Sequence, residues 1–526
     1  MNNPEGARDL SRREFIGRGA AGAAVLALPP FLTDDFLLWE GWKHHFTDDL
    51  LIPEEVLQRA MGLLMARGAD FGDIFVEKAA HDSMGSDDRK LLTSTLIEQG
   101  VGIRAVKDGR TFYAYTAHFE PESVYETARY VADAAASAGA GPAITLADLT
   151  RQSSPLLSPI TPDPASVEIA AKADLVQALA ERAWTADERV VQVGQMLREI
   201  MRQVTLATSD GKILNHTLGL TEYYAQTYLM DAGGNLRMGF GGRSACAGQS
   251  FFTGDHSFER VVDQSVHKAR NQLAAVDSPR GTFPVVFGPG EPGVLFHESC
   301  GHGMEADLVF KGSNFKGQIG EKTAADGVTL IDDGTIPHFP GSFPFDDEGT
   351  PSERTVLIED GIQQNYLCDK IWGQKLGMPS TGSGRRQSFR YPPIPRMRNT
   401  YIDAGTIPPD EIIKATKRGL YVLDAGGGGQ VDVVSGNFMM GVSEAYLIEG
   451  GEITRPVKGA TLSGMGINAL QTIDMIGNDL TITPSAGRCG KGQSAPTGSG
   501  MPTTRVRGIV VGGAGEAWSD VEGGSP

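Results

Sequence analysis

The stretch His297-Glu298-Ser299-Cys300-Gly301-His302 holds the residue types best suited to chemistry in this sequence. Neutral imidazoles are donors that zinc accepts, and a carboxylate beside them can serve as base toward a water that the ion polarises. The spacing is unusual. Histidine pairs that bind a metal from a helix commonly stand i, i+4, which leaves both rings on one face. Here they stand i, i+5, and at about 100° per residue an ideal helix turns the rings roughly 140° apart. The helix predicted over 292–307 must therefore bulge or end between Glu298 and His302 if both rings serve one ion. Gly301, directly before His302, is where leaving the right-handed helical region costs least.

Other candidates surround this motif. Glu305 and Asp307 can orient the imidazoles or close the bulge, or can be solvated helix carboxylates. Arg385 and Arg386, in a Gly-Ser-rich loop, suit a substrate carboxylate or carbonyl, or solvent. The glycine run 426–429 suits a close approach of substrate backbone or a tight turn, and lacks the Lys-Ser/Thr of a phosphate loop. The four cysteines, Cys246, Cys300, Cys368 and Cys489, include no CxxC pair, which excludes a disulfide scaffold.

The elements that must position these residues read as α+β. At 526 residues the chain exceeds one ordinary core, so it is expected to divide. Residues 34–279 read as an N-terminal α/β-type domain, with helices at 53–67, 121–138, 167–183 and 257–274. Strands are expected at 73–77, 91–98, 102–106, 110–116, 190–207 and 221–229, in two lobes without a legible internal repeat. Residues 280–526 read as a β-rich catalytic domain with the HExxxH helix at its centre, after a strand at 284–287. A further helix is expected at 409–418. The net charge of −18 argues against nucleic acid, which needs a basic surface. Residues 1–33 form a candidate targeting segment, because SRREFI (11–16) resembles a twin-arginine export signal and is followed by a short apolar stretch. That resemblance implies an extracytoplasmic protein, with a cytoplasmic one as the alternative. No run is long enough for a stable membrane span.

Beyond the six-residue motif the chain resembles the TldD/PmbA family of metallopeptidases, in particular its metal-binding, TldD-like subunit. The resemblance runs through HESCGHGMEAD (297–307), TGSGRRQSF (381–389), PIPRMRNTY (393–401) and GGGQVDVVSGNF (427–438). It continues through SEAYLIEGGEITRPVKGATLSG (443–464) and MIGNDL (475–480) to CGKGQSAPTGSGMPT (489–503). It implies a zinc-dependent peptidase acting on peptides or unfolded polypeptide, with His297, His302 and Cys489 as ligands and Glu298 as general base. Cys300, inside the motif, is the rival to Cys489 for the third position. The resemblance also implies a dimer, either with a PmbA-like partner or with a second copy. The alternative is a non-catalytic peptide-binding or scaffold protein of the same fold, against which the intact Glu298 argues. An exported oxidoreductase is disfavoured by the lack of a dinucleotide fingerprint.

Overall fold

A helix, three antiparallel strands and a second helix follow one another twice in the first half of the chain. The computed structural model describes residues 46, 49–139, 148–152, 157–158, 166–426, 428–483 and 488–518. The arginine pair at 12–13 and most of the connector at 139–164 lie outside these. The first set is α1 (Glu54–Met65), β1 (Phe71–Asp87), β2 (Lys90–Lys107), β3 (Arg110–Thr116) and α2 (Pro121–Ala136). After the short β4 (Thr150–Arg151) come α3 (Ile169–Thr185), β5 (Val190–Thr208), β6 (Lys212–Met230), β7 (Leu236–Ala245) and α4 (Phe258–Ala274). These are the two expected lobes, and the four expected helices fall within 2 residues of their expected ends.

Local chemistry explains these elements. In α1, Glu54 and Glu55 sit at the positive end of the helix dipole, while Val56, Leu57, Ala60, Met61 and Leu64 form its buried stripe. Ser257 caps α4 by accepting from the Arg260 N–H. Asp108 and Gly109, both with positive φ, make the tight turn from β2 to β3. The two runs expected at 91–98 and 102–106 are one strand, β2. Gly100 keeps the ladder intact opposite Glu77 and leaves room for the Phe389 ring, which a Cβ there would meet at 2.2 Å.

One seven-stranded sheet joins the lobes, with β1 and β5 antiparallel at its centre from Asp73↔Thr208 to Asp87↔Gly194. Side chains alternate between its faces. Ile74, Val76, Val101 and Ile103 pack under α1 and α2, and Val193, Leu197, Tyr223 and Ala225 under α3 and α4. On the other face Phe75, Val204, Leu206 and Leu214 meet Phe345 and Phe389 of the second half. Around that apolar contact lies a fully buried ionic network. Arg104 Nε is 2.5 Å from Asp73 and its Nη1 is 2.7 Å from Glu348, while Arg386 Nη2 donates to Asp73 at 2.9 Å.

The second half is β-rich, as expected. The strand Arg280–Phe287 lies inside an eleven-stranded sheet, antiparallel to Thr504–Gly512 and parallel to Arg418–Asp424. A six-stranded sheet pairs Asn399–Ile402 in parallel with Gly498–Met501. That pairing brings two distant blocks of sequence, 393–401 and 489–503, to one place. The main core lies between these sheets and includes Phe287, Leu295, Phe296, Cys300, Met397 and Cys489. Burying one side chain as large as Phe296 contributes about 1.5–3 kcal/mol, so the segment carrying the motif is held by apolar packing on both sides. Among the described residues no helix is long and apolar enough to cross a membrane.

His216 on β6 marks the junction between the halves. It is buried edge-on against Phe345, and its Nδ1 has no hydrogen-bond partner. Burial, with help from Arg202, pushes its pKa down to about 4. The unfolded chain therefore binds the proton more readily between pH 6.5 and 4, and stability present above pH 6.5 is lost as pH falls through that window. The thermal midpoint should drop over this range by an amount equivalent to about 3 kcal/mol at most. His216→Leu should flatten that slope, and an unchanged slope would show that His216 is not held neutral.

Candidate metal centre

The strand Arg280–Phe287 delivers the chain to Gly290, whose φ of +89° turns it into the 3-10 turn Glu291–Gly293. One α-helical turn follows, Val294–Phe296, then a π-helical turn, His297–Gly301, then a second 3-10 turn, His302–Met304. Glu305 is extended, and a new helix starts at Ala306. The expected helix over 292–307 is thus interrupted, and the distortion lies between Glu298 and His302 as the spacing required. The His302 N–H donates to the His297 carbonyl, an i→i+5 bond. Residues five apart then fall on one side. The two imidazole centroids are 5.5 Å apart, with the rings nearly perpendicular.

The reason for Gly301 differs from the expected one. Its φ of −55° and ψ of −48° are ordinary right-handed helix, so backbone freedom is not what it supplies. A Cβ at this position would sit 2.1 Å from Met397 Sδ. Close packing requires the glycine.

Cys489 arrives from far along the chain on a short hairpin, Arg488–Gly490 against Ser494–Pro496. Its Sγ lies 3.1 Å from His302 Nε2. The Glu298 oxygens stand 3.9 Å from His297 Nε2 and 3.6 Å from His302 Nε2. His297, Glu298, His302 and Cys489 are the one group among the described residues whose donor atoms, all within 4.8 Å of one another, could hold a metal. The histidines and the cysteine are buried, whereas the Glu298 side chain is 31% exposed. Cys300 stays outside the group. Its thiol is fully buried in the main core, and burial pushes it up to about 12.

The donor set fits zinc. Donors bound to one ion at about 2.0–2.3 Å lie roughly 3–4 Å apart, and two imidazoles with a thiolate leave a fourth position open. Burial alone would raise the Cys489 thiol, but the charges of His297 and His302 bring it down to about 5. Burial would likewise lower both histidines, and Cys489 holds His297 up, while Glu305 and Cys489 hold His302 well up.

A layer of buried charge surrounds the donors. His302 Nδ1 donates to Glu305 Oε2 at 2.8 Å, which leaves Nε2 to face Cys489. Lys491 Nζ reaches Glu305 at 2.9 Å, Asp307 at 2.8 Å and the Pro395 carbonyl at 2.5 Å. Burial would raise the Glu305 carboxyl, but Lys491, His302 and Arg396 hold it at about 2. Arg396 donates to the carbonyls of Cys489 at 2.5 Å and Gln493 at 2.6 Å, gripping the hairpin from beneath. Neither Glu305 nor Asp307 is a solvated helix carboxylate, since both are buried.

Arg385 and Arg386 also depart from both expectations. Arg385 donates to the carbonyls of Met397 and Pro496, and burial beside Arg396 lowers it to about 10. Arg386 belongs to the ionic network on Asp73. Both are buried, away from solvent. In the glycine run, Gly428 has a φ of +85° and its carbonyl accepts from the Gly441 N–H at 2.7 Å, and Gly429 opens the edge strand Gly429–Asp432 of the large sheet. Lys491, Arg396 and Met397 were not legible as site residues. Their spacing from the histidines carries no signal, and they act only through the fold.

Comparison with known proteins gives three family matches in chain order. Residues 72–139 match the PmbA/TldA metallopeptidase domain 1, residues 162–273 its central domain, and residues 280–513 its C-terminal domain. The chain is 35% identical over 468 residues to a metalloprotease TldD homolog of Buchnera aphidicola, covering 86% of this chain and 95% of that protein. It is 36% identical over 471 residues to a metalloprotease TldD homolog of Haemophilus influenzae, covering 87% and 96%. Among solved structures, TldE from Thermococcus kodakarensis superposes with a TM-score of 0.69 at 21% identity, covering 87% of this chain and 99% of that one. That likeness is one of fold.

The contact between Gly301 and Met397 is separable by mutation. Gly301→Ala should destabilise the protein by about 1–3 kcal/mol, the usual cost of overpacking, and weaken metal binding. Met397→Ala in the same chain should recover part of both losses. A double variant no better than Gly301→Ala, by thermal midpoint and bound metal per chain, would return the explanation to the backbone.

Proposed function

This chain belongs to the TldD/PmbA family of metallopeptidases, and we propose that it is a zinc-dependent peptidase hydrolysing peptides or unfolded polypeptide segments. The observation that carries this reading is the convergence of buried His297, His302 and Cys489 beside a partly exposed Glu298. The three buried donors would hold the ion. When bound, zinc supplies Lewis acidity toward a water and toward the carbonyl of the bond to be cut.

The chain's own residues do the rest. Glu298 is exposed enough for water and substrate to reach its carboxylate, which accepts a proton from the attacking water and passes it to the leaving amine. Glu305 holds the proton of His302 on Nδ1, so that Nε2 stays free as a donor. Cys489, held well below the ordinary thiol range, is ready as a thiolate. A scaffold protein of the same fold would need no carboxylate beside the donor cluster, and Glu298 therefore favours catalysis. We further propose that the chain works as a dimer, with a PmbA-like partner or with itself, and that Arg12 and Arg13 direct it out of the cytoplasm. Export in folded form would let the metal shield Cys489 before the chain meets an oxidising compartment.

Glu298→Gln should keep its zinc while losing about 10²–10⁴-fold in hydrolysis rate. Cys489→Ser and His302→Ala should lose both metal and activity, and Cys300→Ser should lose neither. Zinc per chain and hydrolysis of an unstructured peptide decide this. Wild-type rates from Glu298→Gln would end the mechanism, and an empty site in Cys300→Ser with a full one in Cys489→Ser would replace the third ligand. For export, lysine at both 12 and 13 should strand the protein in the cytoplasm, and an unaltered chain found wholly in the cytoplasm would exclude the route.

A further inference from the structure

Two arginines share a single carboxylate next to the hairpin that carries Cys489. Arg488 Nη2 donates to both oxygens of Glu222 at 3.2 Å, and Arg198 Nη1 donates to Glu222 Oε2 at 3.3 Å. The trio sums to one positive charge. Among the described residues no second carboxylate pairs with either arginine, whereas neighbouring cations are matched singly: Arg202 by Glu77 at 2.6 Å and Arg390 by Glu98 at 2.5 Å. Carboxylates are not scarce in this chain, with 65 acidic residues against 47 Lys and Arg. Glu222 is buried, but the side chains of Arg198 and Arg488 remain 29% and 31% exposed. Each guanidinium has five N–H donors, so neither is used up on Glu222.

The placement suits a substrate contact. Arg488 and Cys489 are consecutive on one short strand, so the thiol leaves one face of the hairpin toward His302 and the guanidinium leaves the other toward Glu222, one strand's thickness from the donors. Arg198 and Glu222 are paired across β5 and β6. They stand on the sheet face turned away from the helices, where Ile200 and Leu220 meet Cys246. His81 occupies the same face, paired with Ile200. Burial lowers its pKa first, and Arg488, Arg198 and Arg202 add to this against Glu98, so it contributes no rival charge near neutral pH.

Resting on the peptidase reading above, we propose that Arg198 and Arg488 form a subsite for a carboxylate of the bound peptide. Guanidinium forks match a carboxylate in geometry as well as charge. The carboxylate can belong to an acidic side chain or to the peptide's C-terminus, and the test separates the two.

Three labelled hexapeptides would be titrated by fluorescence anisotropy into the zinc-loaded full chain carrying Glu298→Gln. One is neutral with an amidated C-terminus, one carries a single glutamate, and one has a free C-terminus. At least one carboxylate peptide should bind roughly tenfold more tightly than the neutral one, with the difference shrinking as salt rises. Adding Arg198→Gln should bring that ratio close to one. Adding Glu222→Gln, which removes the competing internal carboxylate, should raise it. Equal binding of all three peptides, or an unchanged ratio in Arg198→Gln, overturns the subsite. If the unmutated chain shows the ratio but cleaves none of the peptides, the peptidase reading falls and the subsite stands.

Discussion

The hydrogen bond from the His302 N–H to the His297 carbonyl is the constraint on which the rest of the site depends. One residue more than an α-helical turn is accommodated there, and without it the two imidazoles would face different sides. A π turn is a poorer backbone structure than an α turn, so its surroundings must hold it. They do so by contact. Met397 fills the space over Gly301, and Gly466 lets a neighbouring backbone press against Ser299 and Cys300. Ser299 Oγ returns a hydrogen bond to the Leu295 carbonyl at 2.7 Å, compensating part of the disturbed helix.

The hairpin of Cys489 is held by different means. Its strands are three residues each and bring little apolar surface of their own. Arg396 and Lys491 fix it instead, the first through backbone carbonyls and the second through Glu305 and Asp307. A shift of the hairpin would take Lys491 away from Glu305 and leave that buried carboxylate to His302 and Arg396 alone, and weakening the pairing of a buried charge is costly. Because Glu305 also holds His302, the position of the cysteine and the orientation of the histidine are set together. The same logic joins the two halves of the chain. Arg104, Asp73, Arg386 and Glu348 are buried at their junction, and each needs partners from the other side or from its own.

Much of this was legible from residues alone. The types and spacing of His297, Glu298 and His302 pointed to a metal and demanded a distorted turn. Apolar periodicity located the helices of the first half, and the α+β division with a β-rich second half followed from glycine, proline and strand-like runs. Local patterns carry such information because helix and strand periods are properties of the nearby chain.

Other features were decided only by the tertiary structure. Gly301 looked like a backbone hinge and proved to be a packing requirement imposed by Met397, almost a hundred residues away. Arg385 and Arg386 looked like loop arginines open to substrate or solvent, and are buried against carbonyls and Asp73. Lys491 had no spacing to mark it, yet through Glu305, which the motif did mark, it couples two donors. The sequence by itself determined which atoms are available for chemistry and which elements form nearby. Which polar groups are buried, and which charges then need each other, is set by contacts between distant segments, because removal from water is a property of the folded whole.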